Sequence, residues 1–151
     1  MKPTKWLSNG VVEAGLITIR ENLPKDSKKV IMPLRVATRL QQGIYNAAEI
    51  HSKFEKINHL DRQDMVMLPV LEFADPNDQE GGRHYWVFNI NLRDQRFEVL
   101  DSWRKLDNPD LMHRASTTAG AVRCLWKQHY PKHNISHFQV IDIDVPKQLG
   151  M

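Results

Sequence analysis

The segment HYWVFNINLRDQRFEVLDS, residues 84–102, constrains this chain more than any other. Apolar and polar residues alternate on both sides of the polar turn RDQR, the period-2 signature of two antiparallel strands, here about 84–92 and 97–102. A hairpin of this kind fixes which side chains share a face. If the turn centres on Arg93–Asp94, Asp101 stands opposite Trp86, and His84 lies diagonal to it on the same face. A diagonal gap of about 7–8 Å is within reach of an imidazole and a carboxylate that point at each other. If the turn centres one residue later, the shared face survives but His84 lies about 13 Å along the strand from the residue opposite Asp101.

The surrounding sequence supplies helices and further strands. Ser8 or Asn9 can cap a helix over 10–22 with Val11, Val12, Leu16 and Ile19 on its apolar side. The apolar run from Val30 leads to a helix with Pro33 in its first turn and Gly43 as its stop. Asn46 opens another, with Ala47, Ile50, Phe54 and Ile57 at helical spacing. MVMLPVLEF, 65–73, is a strand bent or edged by Pro69, and the polar stretch after it is a loop. Asn108-Pro109-Asp110 begins a long helix over 108–129 that ends before Pro131. The last element, 138–145, reads as a strand well inside a sheet. Its Gln139, Ile141, Ile143 and Val145 share one face, and Phe138 and Val140 begin the other. Helices followed by an antiparallel-rich sheet with one long helix on it make a single α+β domain over 1–151.

Composition narrows the function classes. The 21 Lys+Arg against 18 Asp+Glu are spread along the chain, without the patch or stripe that nucleic-acid binding requires. No segment has the length of uninterrupted apolar sequence that spans a bilayer, and the first ten residues lack the apolar core of a signal peptide. One cysteine excludes an internal disulfide framework and points to an intracellular location, nucleus or cytoplasm. His129, His133 and His137 are four apart, but Pro131 breaks the helix that would bring them together, and no metal or other cofactor is expected.

A buried aspartate that holds a histidine in one tautomer is how a catalytic triad orients its general base. Three stretches sharpen that reading. HYWVFNINLRDQRFEVLDSW resembles the His-Trp…Leu-Asp-Ser segment of the ubiquitin-like (SUMO-specific) cysteine protease family, with its His and Asp about seventeen positions apart. WLSN (6–9) is similar to that family's Trp-Leu-x-Asp opening, and VPKQLG (145–150) to its Val-Pro-Gln-Gln stretch. The resemblance implies a papain-like fold, a mixed sheet flanked by helices, and a cysteine peptidase chemistry. It makes His84 the general base, Asp101 its orienting acid, Gln148 the oxyanion-hole donor, and Trp6, Tyr85 and Trp86 the aromatics near the modifier's tail. Tyr85 stands where the family has Trp, and Asn9 where it usually has Asp.

The nucleophile is the missing member. In the family it is the Cys of Asp-Cys-Gly six positions after that Gln, which here would be position 154, past Met151. Cys124 is expected in the C-terminal half of the long helix, where the helix dipole disfavours a thiolate, and is read as a core residue. The expectation is a domain truncated before its cysteine, inactive, that works by binding a protein or a ubiquitin-like modifier. The alternative is the N-terminal part of an active SUMO-deconjugating protease. Loss of the family's following helix is expected to leave Phe138, Val140, Leu149 and Met151 as a bare apolar patch suited to a homodimer.

Overall fold

The computed structural model describes residues 28–73 and 83–145. The elements run β1 (Lys29–Ile31), α1 (Leu34–Leu40), α2 (Ala48–Phe54), two 3₁₀ turns (Lys56–Asn58 and Leu60–Arg62), β2 (Met65–Phe73), β3 (Arg83–Asn91), β4 (Arg96–Leu100), α3 (Pro109–His129) and β5 (Val140–Asp142). The helix expected over 10–22 lies outside the described residues. The strands form one sheet in the order β1-β2-β3-β4-β5, antiparallel through β2, β3 and β4 and parallel at both ends.

Side-chain alternation sorts the sheet into two faces. Val66, Leu68 and Val70 of β2, Trp86, Phe88 and Ile90 of β3, and Phe97 and Val99 of β4 are buried on one of them. They share a core with Val36, Ala37 and Leu40 of α1 and with Leu111, Ala115, Val122, Leu125 and Trp126 of α3. The opposite face of the hairpin is polar. There Glu98 accepts from Asn91 Nδ2 at 2.9 Å and from Arg96 Nε at 2.8 Å, so its burial leaves no carboxylate without a partner.

Local chemistry explains most of the boundaries. The side chain of Asn108 accepts from the backbone N–H of Asp110 and Leu111, and Pro109 follows it as first helical residue, so α3 starts as the sequence predicts. Gly43 takes a φ of 79° just past α1, a conformation open to glycine at no steric cost. Pro69 sits within β2, beyond the short span where β1 pairs with it. The neighbouring donor on that side, Leu71 N–H, goes to Thr38 of α1 instead of to a strand, so a residue without an N–H is tolerated there.

Several expectations are corrected. The α2 helix stops at Phe54, and Ile57, expected on its apolar side, is 76% exposed in a 3₁₀ turn. The last strand covers only three residues and is the sheet's edge among the described residues, not an interior strand. Phe138 is not bare. It is 3% exposed, packs edge-on against Phe97 at 5.4 Å between ring centroids, and its carbonyl accepts from Arg123. Val140 packs half-buried on the same core. The start of this segment turns its aromatic inward over β4, leaving Ile141, Ile143 and Val145 only partly covered. The homodimer patch therefore loses its described half, and Leu149 and Met151 lie outside the described residues. Cys124, read as a core residue, is exposed on α3.

Candidate active site

The hairpin register decides whether the histidine and the aspartate meet. Asn91 pairs with Arg96, Ile90 with Phe97 and Val87 with Leu100, which centres the turn on Arg93–Asp94. The turn is held by Asn91, whose side chain accepts from the Asp94 N–H at 2.9 Å, and by Gln95 in the left-handed conformation, φ 57°. This register is the one that makes His84 diagonal to Asp101.

The two side chains are in direct contact. Nε2 of His84 lies 2.9 Å from both carboxylate oxygens of Asp101. An ionised carboxylate only accepts, so Nε2 carries the proton and donates, and the lone pair of the neutral ring is on Nδ1. Nδ1 has no hydrogen-bond partner among the described residues. The Asp101 side chain is fully enclosed. Burial by itself would raise its pKa, but hydrogen bonds from His84, from the Trp103 N–H and from Arg104 outweigh it and hold the carboxyl down at about 2. Asp101 is therefore an anion at any pH at which a histidine could act as a base.

A second layer locks the aspartate. Arg104 donates through Nε and Nη2 to Asp101 Oδ2, and through Nη1 and Nη2 to the two oxygens of Glu72 at 3.0 and 2.8 Å. Glu72 is directly across from His84 in the β2–β3 pairing and is also approached by Arg114 of α3 at 3.5 Å. Backbone N–H groups of Trp103 and Arg104 donate to Asp101 Oδ1 at 2.7 and 3.0 Å, folding 101–104 into a tight turn. That turn lays the Trp103 ring on the imidazole, with centroids 4.5 Å apart and planes 21° from parallel.

The other expected site residues are placed as follows. Trp86 is inside the core, 2% exposed, so its ring offers no open wall to a partner. Tyr85 alternates to the opposite face of β3 from His84, partly buried, and that burial pushes its phenol pKa up. Trp6 and Gln148 lie outside the described residues. Cys124 is ten residues beyond Arg114 on α3, about 15 Å further along the helix from the Glu72–Arg114 contact. The three late histidines have separate partners: His129 meets His51 at 2.8 Å, His133 meets Asp61 at 2.9 Å and His137 meets Gln95 at 3.1 Å. Among the described residues no group of three or more His, Cys, Asp or Glu could hold a metal ion, and no helix is long and apolar enough to cross a membrane.

Glu72, Trp103, Arg104 and Arg114 were not foreseen. Glu72 had a signal: it is the one acid on the β2 face that carries Val66, Leu68 and Val70, and a carboxylate there requires a cationic partner.

Solved structures share this arrangement of elements. The yeast Ulp1 protease domain in complex with Smt3, the yeast orthologue of SUMO, superposes with a TM-score of 0.68 over 99% of this chain and 60% of that one, at 16% identity. The fold is that of the Ulp1 protease. Ulp1 with its catalytic cysteine oxidised to a sulfenic acid gives 0.65 at 17% identity, over 99% and 61% of the two chains. A de-sumoylating protease gives 0.61 at 14%, over 99% and 58%. The chain thus spans about three fifths of the solved domains it matches. No family model and no curated protein matches it.

Proposed function

We propose that these residues form a ubiquitin-like-protease-type domain in which His84 and Asp101 are the base and its orienting acid. In the 151 residues given, the domain binds a ubiquitin-like modifier or another protein without cleaving it. The observation that carries this reading is the Nε2–H of His84 shared between the two oxygens of an enclosed, ionised Asp101. Such a pair leaves Nδ1 as the atom that would take a proton from a thiol, while the aspartate stabilises the imidazolium that results. Gln148 is assigned as the oxyanion donor, and Trp6 and Tyr85 as partner-facing aromatics, from their place in the sequence. The only cysteine among the 151 residues is Cys124, which is exposed on α3 and is not among the contacts of the pair.

A second reading is the same domain in an active deSUMOylating protease, completed by a cysteine encoded after Met151. The span of about three fifths of Ulp1 and the intact His84–Asp101 contact favour it. Two measurements test the roles assigned here, and a third separates the readings. The isotope-labelled chain titrated with SUMO and with ubiquitin should show saturable amide shifts near His84 and Trp103 for one of them; silence toward both refutes modifier binding. A SUMO vinyl sulfone should leave the 151-residue chain unlabelled, and labelling at Cys124 would overturn the assignment of roles. A gene that continues into Asp-Cys-Gly, with labelling there, decides for the protease.

A further inference from the structure

A hydrogen bond fixes one edge of an imidazole, not its plane. With Nε2 donating to two oxygens at equal distance, the hydrogen bond by itself leaves the buried His84 ring free to tilt about the line from Cβ to Nε2, and Nδ1 would sweep an arc as it did so. A base that must meet one particular proton has to lose this freedom. Trp103 supplies the missing restraint. Its indole lies 4.5 Å from the imidazole with the planes 21° apart, an offset-stacked geometry in which rotation of either ring costs contact. The indole is itself placed through Asp101, because the backbone N–H of Trp103 donates to the same Oδ1 that receives His84. One carboxylate thus sets the ring's position directly and its plane through a neighbour. Trp103 is 49% exposed.

We propose that Trp103 is a positioning residue that sets the plane of His84 and with it the direction of Nδ1. The inference rests on the reading of His84 as a base, and it assigns that job to an aromatic after the aspartate. Tyr85, next to the histidine, alternates to the other face of β3, and Trp86 is closed into the core.

The test reads the ring and not the stability. In the chain labelled with 13C in its histidine rings, the His84 order parameter should be that of rigid backbone, about 0.85, with ring protons shifted upfield by the indole. Trp103→Ala should let the order parameter fall below about 0.6 and remove the upfield shift, while the amide spectrum of the sheet stays as it was. Trp103→Phe, which keeps a stacking ring, should restore order. An equally rigid His84 in Trp103→Ala overturns the proposal, as does failure of Phe to rescue it. The proposal and the modifier-binding reading fail separately. If Trp103→Ala frees the ring but neither SUMO nor ubiquitin binds, only the function falls. If a modifier binds and the ring stays rigid without its tryptophan, only the positioning role falls.

Discussion

Arg104 is the residue whose removal should reveal how much the site contributes to the fold. Its side chain is 12% exposed and donates to two carboxylates that are more buried still, Asp101 and Glu72. Arg104→Ala takes a cationic partner from both. Breaking one side of a buried ion pair costs about 3–5 kcal/mol, because the remaining charge stays buried. Here Glu72 keeps Arg114 at 3.5 Å and Asp101 keeps His84 and two backbone donors, so the low end, about 3 kcal/mol, is expected. Asp110, the third partner, is mostly in water and adds little. At roughly 2–4 °C per kcal/mol for a chain of this size, the midpoint of thermal unfolding should fall by about 6–12 °C. Arg104→Lys keeps the charge but not the two-pronged geometry, and should lose about 1–2 kcal/mol. The assay is urea and thermal unfolding of the 151-residue chain followed by circular dichroism at pH 7. A loss under about 0.5 kcal/mol for Arg104→Ala would mean that water screens the cluster, and the description of an enclosed, locked aspartate would be wrong.

Three further outcomes follow from the same contacts. The Asp101 carboxyl falls from 3.8 to about 2 on folding, so its stabilisation, about 2 kcal/mol, is complete above the unfolded value and is lost as pH drops from about 4 towards 2. Acid titration of stability should therefore be shallower in Asp101→Asn than in the parent chain through that window, and parallel curves would contradict the depressed carboxyl. Phe138→Ala should cost about 3–5 kcal/mol in urea unfolding, since it empties an enclosed aromatic site against Phe97; a cost near zero would return Phe138 to the surface. Cys124 should react with a disulfide reagent in the folded chain without denaturant, and protection from the reagent would show that it is buried.

The parts of this fold legible in the sequence are those where local chemistry and pattern agree. Asn108-Pro109-Asp110 names its own helix start, and the alternation across RDQR names the two strands and the face that His84 and Asp101 share, while the choice between two registers is made by the turn, where Asn91 accepts from the Asp94 N–H. Most of the misreadings share a cause. Ile57, Phe138 and Val140 are placed by periodicity in short or terminal segments, where two or three apolar residues fit either face, whereas Cys124 lies in a long helix whose apolar neighbours point to the core while its own side faces water. What turned Phe138 inward was the presence of Phe97 and Arg123, contacts separated from it in sequence and carrying no local signal. Glu72, Arg104 and Arg114 were hidden for a similar reason. They come from β2, the loop after β4 and α3, and only the tertiary fold brings the two arginines to the Glu72 carboxylate.

The site's geometry is also a statement about register before it is one about chemistry. A slip of one residue between β3 and β4 would send Asp101 to the other face, so any chain that keeps this hairpin and its core keeps the two residues side by side. The contact alone therefore does not separate an active enzyme from an inactive descendant. The surrounding groups are more discriminating. A carboxylate that only had to be buried could be satisfied by Arg104 and the two backbone donors. It would not need to face an imidazole at 2.9 Å through both oxygens, nor to fold a turn that lays a half-exposed tryptophan on that imidazole. These two features restrict the orientation of Nδ1. They are the part of the structure that a general base requires and a packed core does not, which is why the order of the His84 ring, more than the stability of the fold, is the measurement that bears on function.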